Sequence, residues 1–366
     1  MDDMRRLAAG DEHHTEALML LGPELNAERL PAPVLAVQVT RPAIGGGAAR
    51  AVVVGVSIHH AVADGHSVWQ FIKAWSAVSR EPASGGLVPP TFDRAAIRYP
   101  EADEVAREFL RTLAPALPVA RSPSHVPLNH WRRSFLLRAE DIESVKQLIL
   151  TQSEAIGEQT ETHPSTFVAV SSLVWTSMLR AKPCPNPAAD AYFMVMADLR
   201  RRLGPAVDER YFGNCVAPCF ARAAARDLRD GGAGLARAAA AIGAGVRARL
   251  GDPLGGAERW LEPFLAVPKE RFTFTGSSNR FMAYETDFGW GAPSRVELVS
   301  LFSPELVLLL GAADGGVQVT VALDHEQMEG FVANLLRVSG QVDRGQGQGV
   351  SKTVQTAKGS WDHTCL

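Results

Sequence analysis

Cysteine is scarce in this sequence: four residues in 366, at positions 184, 215, 219 and 365. Scattered so thinly, they make a disulfide framework unexpected, and a reducing compartment fits. Cys215 and Cys219 form a CxxxC, but no second cysteine or histidine pair accompanies it, which argues against zinc. Cys365 stands too close to the end for a prenylation signal. No apolar run approaches the length of a membrane span. The start, Met1-Asp2-Asp3-Met4-Arg5-Arg6, lacks the apolar core of a secretory leader. Neither sign of charge is in excess: with a formal net charge of -3, neither nucleic acid nor an anionic membrane is an expected partner. There is no G-x-S-x-G, the mark of one class of nucleophilic serine. What is present is an ordinary soluble composition, 46% hydrophobic and 21% charged, long enough for two domains with cores of their own. A cytoplasmic monomer is the expectation.

The chemistry-bearing stretch is Ser57-Ile58-His59-His60-Ala61-Val62-Ala63-Asp64-Gly65. Apolar and β-branched residues from Ala51 to Ile58 lead into it as a strand. Val68, Phe71, Ile72, Trp75 and Val78 follow at helical spacing. Two histidines, an aspartate and a glycine therefore sit where a strand turns into a helix, a place where folds expose reactive side chains. Imidazole moves protons near neutral pH. At the end of an apolar strand, His60 is expected to be partly desolvated and firmly held. Asp64 either caps the helix or pairs with a cation from elsewhere, and Gly65 permits a path that a larger residue resists. An arbitrary His-His pair more often does no more than close a strand. His59, His60, Asp64 and His66 also crowd together as metal ligands would. Neighbours along a strand point to opposite faces, however, so His59 and His60 do not grip one ion, and no metal is expected.

Three motifs carry a resemblance. His59 to Gly65 resembles the HHxxxDG signature shared by coenzyme A-dependent acyltransferases and the condensation domains of peptide synthetases. Asp287-Phe288-Gly289-Trp290-Gly291 is similar to the DFGWG signature of the plant acyltransferase family called BAHD. Tyr211-Phe212-Gly213-Asn214-Cys215 resembles the YFGNC motif of its anthocyanin and flavonoid-glucoside branch. The motifs stand in that family's order, and the resemblance covers roughly residues 20 to 338. It implies an α/β fold: two similar chloramphenicol-acetyltransferase-like domains with mixed sheets and helices, and an active-site channel between them. The first domain would span 1–113, with a front end shorter than the family's, and 114–130 would be the crossover loop. The second would span 131–338, with 339–366 a disordered tail.

The resemblance also implies roles. His60 is the general base for moving an acyl group, malonyl or hydroxycinnamoyl, from coenzyme A to a hydroxyl of a flavonoid, anthocyanin or other phenolic glucoside. Acyl-CoA is then a co-substrate, and no bound cofactor is implied. Within Asp198-Leu199-Arg200-Arg201-Arg202, Arg200, or after it Arg202, should pair with Asp64 and lock the histidine loop. Asp287 is a catalytic candidate whose motif nevertheless lies away from the chemistry in the family, so it reads mainly as architecture. Gly65 and Gly289 support the site. Where other branches carry a tryptophan near the reacting carbonyl, this chain has Gly276-Ser277-Ser278-Asn279, so Ser277 and Ser278 are candidate oxyanion donors. Arg180 and Lys182 are among the cations available to a malonyl carboxylate. Two rivals are weighed: a truncated, non-catalytic relative, and a condensation-type enzyme using carrier-bound acyl groups, which DFGWG and YFGNC oppose.

Elsewhere the pattern predicts strands at Pro33–Thr40, paired with Ala51–Ile58 through Gly45-Gly46-Gly47, and at Arg133–Leu137, Ala191–Ala197, Arg271–Thr275, Val296–Phe302, Leu306–Leu310 and Val317–Leu323. Helices are predicted near 67–80, 101–113, from Ala139, and over 166–180, 235–250 and 326–338.

Overall fold

The computed structural model describes residues 7, 10–25, 31–41, 51–81, 87–114, 131–157, 163–299 and 306–339. The turn expected at Gly45–Gly47, all but the first residue of the crossover loop expected at 114–130, and all but the first residue of the tail expected at 339–366 lie outside them.

Among the described residues, nine strands form three sheets. β1 (Glu12–His14), β4 (Trp131–Leu137), β8 (Leu308–Gly311) and β9 (Val317–Leu323) build an antiparallel sheet in the order β1-β4-β9-β8. β2 (Leu35–Thr40) and β3 (Val53–Ile58) form an antiparallel ribbon in which Leu35 faces Ile58 and Thr40 faces Val53. β5 (Asp190–Asp198), β6 (Val216–Ala224) and β7 (Phe272–Thr275) form a mixed sheet, β6-β5-β7, antiparallel then parallel. The longer helices are α1 (Gly65–Arg80), α2 (Ala102–Leu113), α3 (Ala139–Ala155), α4 (Thr166–Ala181), α5 (Gly234–Gly251) and α6 (His325–Ser339). This is an α/β fold with mixed sheets. The short β1 crosses the boundary expected at 114–130, because a segment from the front of the chain extends the sheet of the second half.

The core is built around α4. Ser165 caps it, its hydroxyl accepting from Val168 N at 3.2 Å. The helix is buried on every side, with Leu173, Val174 and Trp175 fully covered, and such a helix belongs between other elements. Val174 and Met178 pack with Ile142, Val145 and Ile149 of α3, Phe331 and Leu335 of α6, and Val317, Val319 and Val321 of β9. Trp175 and Leu179 pack instead with Phe193, Ala221 and Ile242. Gln318 and Thr320, on the alternate positions of β9, face the other way and are polar. Thr320 meets Ser134 (hydroxyl oxygens 2.8 Å apart), and Gln318 donates to Val296 O at 3.1 Å.

That polar face explains why no strand forms at Val296–Val299, the described part of the predicted strand. Its carbonyls are taken by side chains, Gln318 on Val296 and the Arg132 guanidinium on Leu298 at 2.9 Å, so a ladder is not needed to satisfy them. The β2–β3 ribbon is asymmetric in the same way. Its small, polar face is covered: Ser57 donates to Pro23 O at 2.6 Å and Gln38 to Leu20 O at 2.8 Å. A Cβ on Gly55 would lie 2.0 Å from Leu21 O, so only glycine fits there. The opposite face carries Leu35, Val37 and Val39, all exposed, beside half-buried Val54, Val56 and Ile58.

Candidate active site

The ribbon delivers the histidines. His59 N still donates to Val34 O at 2.9 Å, continuing the ribbon's pairing one residue past β3. The chain then turns, with Val62 N on His59 O at 3.0 Å and Ala61 N on His59 Nδ1 at 3.2 Å. His60 lies in this turn and is exposed, not partly desolvated as its place after an apolar strand suggests. The strand ends two residues earlier, and the apolar face of the ribbon carries exposed Leu35, Val37 and Val39 where a closed core would desolvate the ring. His60 O accepts from Asn214 Nδ2 at 2.8 Å.

Asp64 does both of the things its position allows. It caps α1, its Oδ1 accepting from Ser67 N at 2.9 Å, and it pairs with Arg200, 136 residues away. The guanidinium grips the carboxylate as a fork: Nη2 to Oδ1 at 3.0 Å and Nη1 to Oδ2 at 2.9 Å. Cys215 N adds a further donor on Oδ2 at 2.9 Å. Both side chains are almost wholly buried, 2% and 1% exposed. Arg200 also reaches Asp198 Oδ1 (3.0 Å), Ser67 Oγ (3.1 Å), Tyr211 O (3.2 Å) and Gly213 O (3.1 Å). Arg202, the alternative partner, is exposed. Burial pushes the Asp64 carboxyl up, but Arg200 and the N–H groups of Ser67 and Cys215 more than offset it and hold it below the ordinary carboxylate range. Burial likewise lowers the Arg200 pKa, and Asp64 and Asp198 more than restore it. Both Asp64 oxygens are thus committed to holding two loops together.

Gly65 is fixed by a neighbour: a Cβ there would stand 2.5 Å from Phe281 Cζ. Phe281 belongs to a segment that runs along α1. Further on, Glu285 pairs with Lys73 at 3.0 Å and the Phe288 ring meets Trp75 edge-on at 4.7 Å. The DFGWG stretch is therefore a clasp on the far part of α1. Asp287 Oδ1 accepts from the N–H groups of Gly289 (2.7 Å), Trp290 (3.1 Å) and Gly291 (3.0 Å), which lowers its pKa. Gly289 and Gly291 have φ of +94° and +90°, which their lack of a Cβ permits. This is an architectural use of Asp287.

The serine candidates each accept a backbone N–H, which does not use the hydroxyl proton an oxyanion would need. Ser277, 8% exposed, accepts from Leu309 N, and Ser278 Oγ accepts from Arg280 N at 3.2 Å. Arg180 is spent on the carbonyls of Arg229 and Asp230, at 3.3 and 2.8 Å, and Lys182 is buried. His66 turns to Gln70 Nε2 (2.6 Å) and Glu209 O (3.1 Å), and no group of metal-ligating side chains forms among the described residues. Two cavities, one lined by Leu179, Cys184 and Arg271 and one by Pro218, Gly245 and Arg249, lie away from the turn; the expected channel is neither of them.

Comparison with known proteins bears on this arrangement. The sequence matches the Transferase family over residues 3–336. The chain belongs to that family, the BAHD acyltransferases. Among its relatives, a malonyl-coenzyme:anthocyanin 5-O-glucoside-6'''-O-malonyltransferase of Salvia splendens is 30% identical, over 80% of this chain and 64% of that protein. Phenolic glucoside malonyltransferase 2 of Arabidopsis thaliana is 29% identical, over 76% and 63%. The chain thus spans a little under two thirds of the length of these relatives. The crystal structure of vinorine synthase shares the fold, with a TM-score of 0.64 at 20% identity, covering 89% of this chain and 72% of that one. In this BAHD chain, the residues of YFGNC that embrace the histidine turn were visible in the sequence only as a branch marker. Ser67, whose hydroxyl bonds Gly213 N and O, carried no signal at all.

Proposed function

We propose that the chain is an acyl-CoA-dependent O-acyltransferase, with malonyl foremost among donors and a phenolic or flavonoid glucoside as acceptor. His60 is its general base. One observation carries this reading: the His60 imidazole stands at the open end of β3, on a turn locked from beneath by the buried Asp64–Arg200 pair. His60 takes the acceptor's hydroxyl proton as the oxygen attacks the thioester carbonyl. The C–S bond breaks, and the same imidazole returns the proton to the departing thiolate. No covalent enzyme intermediate is required. Asp64 stays ionised in its pair and holds the loop, without relaying protons. The malonyltransferase relatives support the choice of donor and acceptor. No described helix is long and apolar enough to cross a membrane, and a cytoplasmic monomer completes the proposal.

Thiol release from malonyl-CoA, measured with and without a flavonoid glucoside, tests the reading. Release should require both substrates and vanish in His60→Ala, whose melting should match the parent. A His60→Ala variant at parental rate refutes the role. The exposed imidazole favours one second reading, a non-catalytic relative. A folded, cooperatively melting protein that releases no thiol from any of a panel of acyl-CoAs would decide for it.

A further inference from the structure

We infer that Phe92 and Phe212 form an aromatic platform beside the histidine turn that holds the flat ring of the acceptor; this rests on the acceptor being a phenolic or flavonoid glucoside. The two rings lie 5.6 Å apart between centroids, tilted at 56°. Phe212 is half-buried, but Phe92 is 64% exposed, and Leu87 and Val88, a few residues before it, are exposed as well. Packing therefore does not explain where the Phe92 ring stands. The backbone on both sides of it does. Thr91 N donates to Arg210 O at 3.1 Å, and Thr91 O accepts from Phe212 N at 2.8 Å. Asp93 Oδ1 accepts from Ala95 N at 3.0 Å, and Arg94 Nη1 donates to the Tyr211 hydroxyl at 3.1 Å. A solvent-facing apolar ring is thus held in a fixed frame, which lowers the ordering cost of a ligand contact.

The position of the platform says which ring it takes. Phe212 lies two residues from Asn214, at most about 8 Å between Cα atoms, and Asn214 Nδ2 donates to His60 O at 2.8 Å. The platform therefore neighbours the turn that carries the base. In a phenolic glucoside the hydroxyl that takes the acyl group is on the sugar, and the aromatic ring sits on the sugar's other side. A base at the sugar hydroxyl and an aromatic surface one sugar away match that layout. Coenzyme A also carries a flat ring, its adenine. The whole pantetheine and pyrophosphate chain separates that ring from the thioester, so a surface this near His60 suits the acceptor. Aromatic rings meet edge to face or offset, and a tilted pair with one ring in solvent leaves a face free for a third.

Phe92→Ala removes one ring, and Phe92→Trp restores an aromatic face. With malonyl-CoA as donor, Phe92→Ala should raise KM for a flavonoid glucoside about 2- to 13-fold, the worth of one aromatic pair. KM for malonyl-CoA and the melting temperature should hold, since the ring is mostly in solvent. Phe92→Trp should keep KM near the parental value. Methyl glucoside, which has no aromatic ring, should show the same kcat/KM in all three proteins. Calorimetric titration of the flavonoid glucoside without donor reads the same contact apart from turnover, and Kd should rise by the same factor in Phe92→Ala. The inference is overturned if acceptor KM and Kd are unaltered, if methyl glucoside suffers equally, or if KM for malonyl-CoA rises instead, which would put adenine on the rings. A lower melting temperature with no recovery in Phe92→Trp would also overturn it, as the mark of a packing role. If His60→Ala releases thiol at the parental rate, the function reading fails instead, and the titration still decides whether the rings hold the glucoside.

Discussion

Removing Arg200 should be among the most damaging single changes to this chain. The Asp64 carboxylate is 2% exposed and has the Arg200 fork as its only cation in the structure described above. In Arg200→Ala the carboxylate stays buried with two N–H donors, from Ser67 and Cys215, and no counter-charge. Breaking a buried pair by deleting one partner costs about 3–5 kcal/mol. The carbonyls of Tyr211 and Gly213 lose a donor as well. Against a typical stability of about 5–15 kcal/mol, that is a large share. Urea unfolding should show the midpoint falling with an unchanged slope.

The pH dependence has a definite sign. The folded Asp64 carboxyl lies below its unfolded value, so its contribution is fully present above the unfolded pKa of about 3.9. It is lost as pH falls through the folded value. The parent should therefore lose stability into acid more steeply than Arg200→Ala, which has less to lose. The double variant Asp64→Leu/Arg200→Met should be less damaged than the sum of its singles, because no lone charge is left behind. A loss below about 1 kcal/mol at neutral pH, the range of an exposed pair, would refute the reasoning, as would parallel acid limbs for parent and variant.

Two other outcomes follow from local geometry. Gly65→Ala must displace the Phe281 ring, which a new Cβ would meet at 2.5 Å; a loss of about 1–3 kcal/mol, the usual range for overpacking, is expected in a thermal melt, together with reduced turnover because the same residue begins α1. The thiols of Cys215 and Cys219 are pushed up to about 11 by burial, so at pH 8 only about one in a thousand is thiolate; both should resist alkylation in the folded protein and react on denaturation, as counted by mass spectrometry.

How legible the site was depended on where each bond partner lay. The turn, the helix after it and the capping aspartate are written in a dozen consecutive residues, and the family resemblance named Arg200 as their partner before any coordinate did. The strand Val216–Ala224 went unread. Pro218 and several alanines disguise it, and proline is tolerated there because β6 is an edge strand, opposite Met196 of β5 alone. The expected strand at Val296–Phe302 looked convincing by composition. The described part is not a strand, because distant side chains took its carbonyls.

The sequence alone determined the elements whose causes are local: the helical period of α3 to α6, the cap at Ser165, the glycines of the Asp287 turn, and the imidazole poised after an apolar strand. The tertiary structure alone decided the exposure of that imidazole, the bond from Asn214 to its backbone carbonyl, and the Leu309 N–H that Ser277 accepts. Hydrogen-bond partners and desolvation are set by which surfaces close over a residue. Around His60 and Asp64 those surfaces come from segments more than a hundred residues away, as the 154 residues between His60 and Asn214 show, and a sequence pattern does not encode such distances.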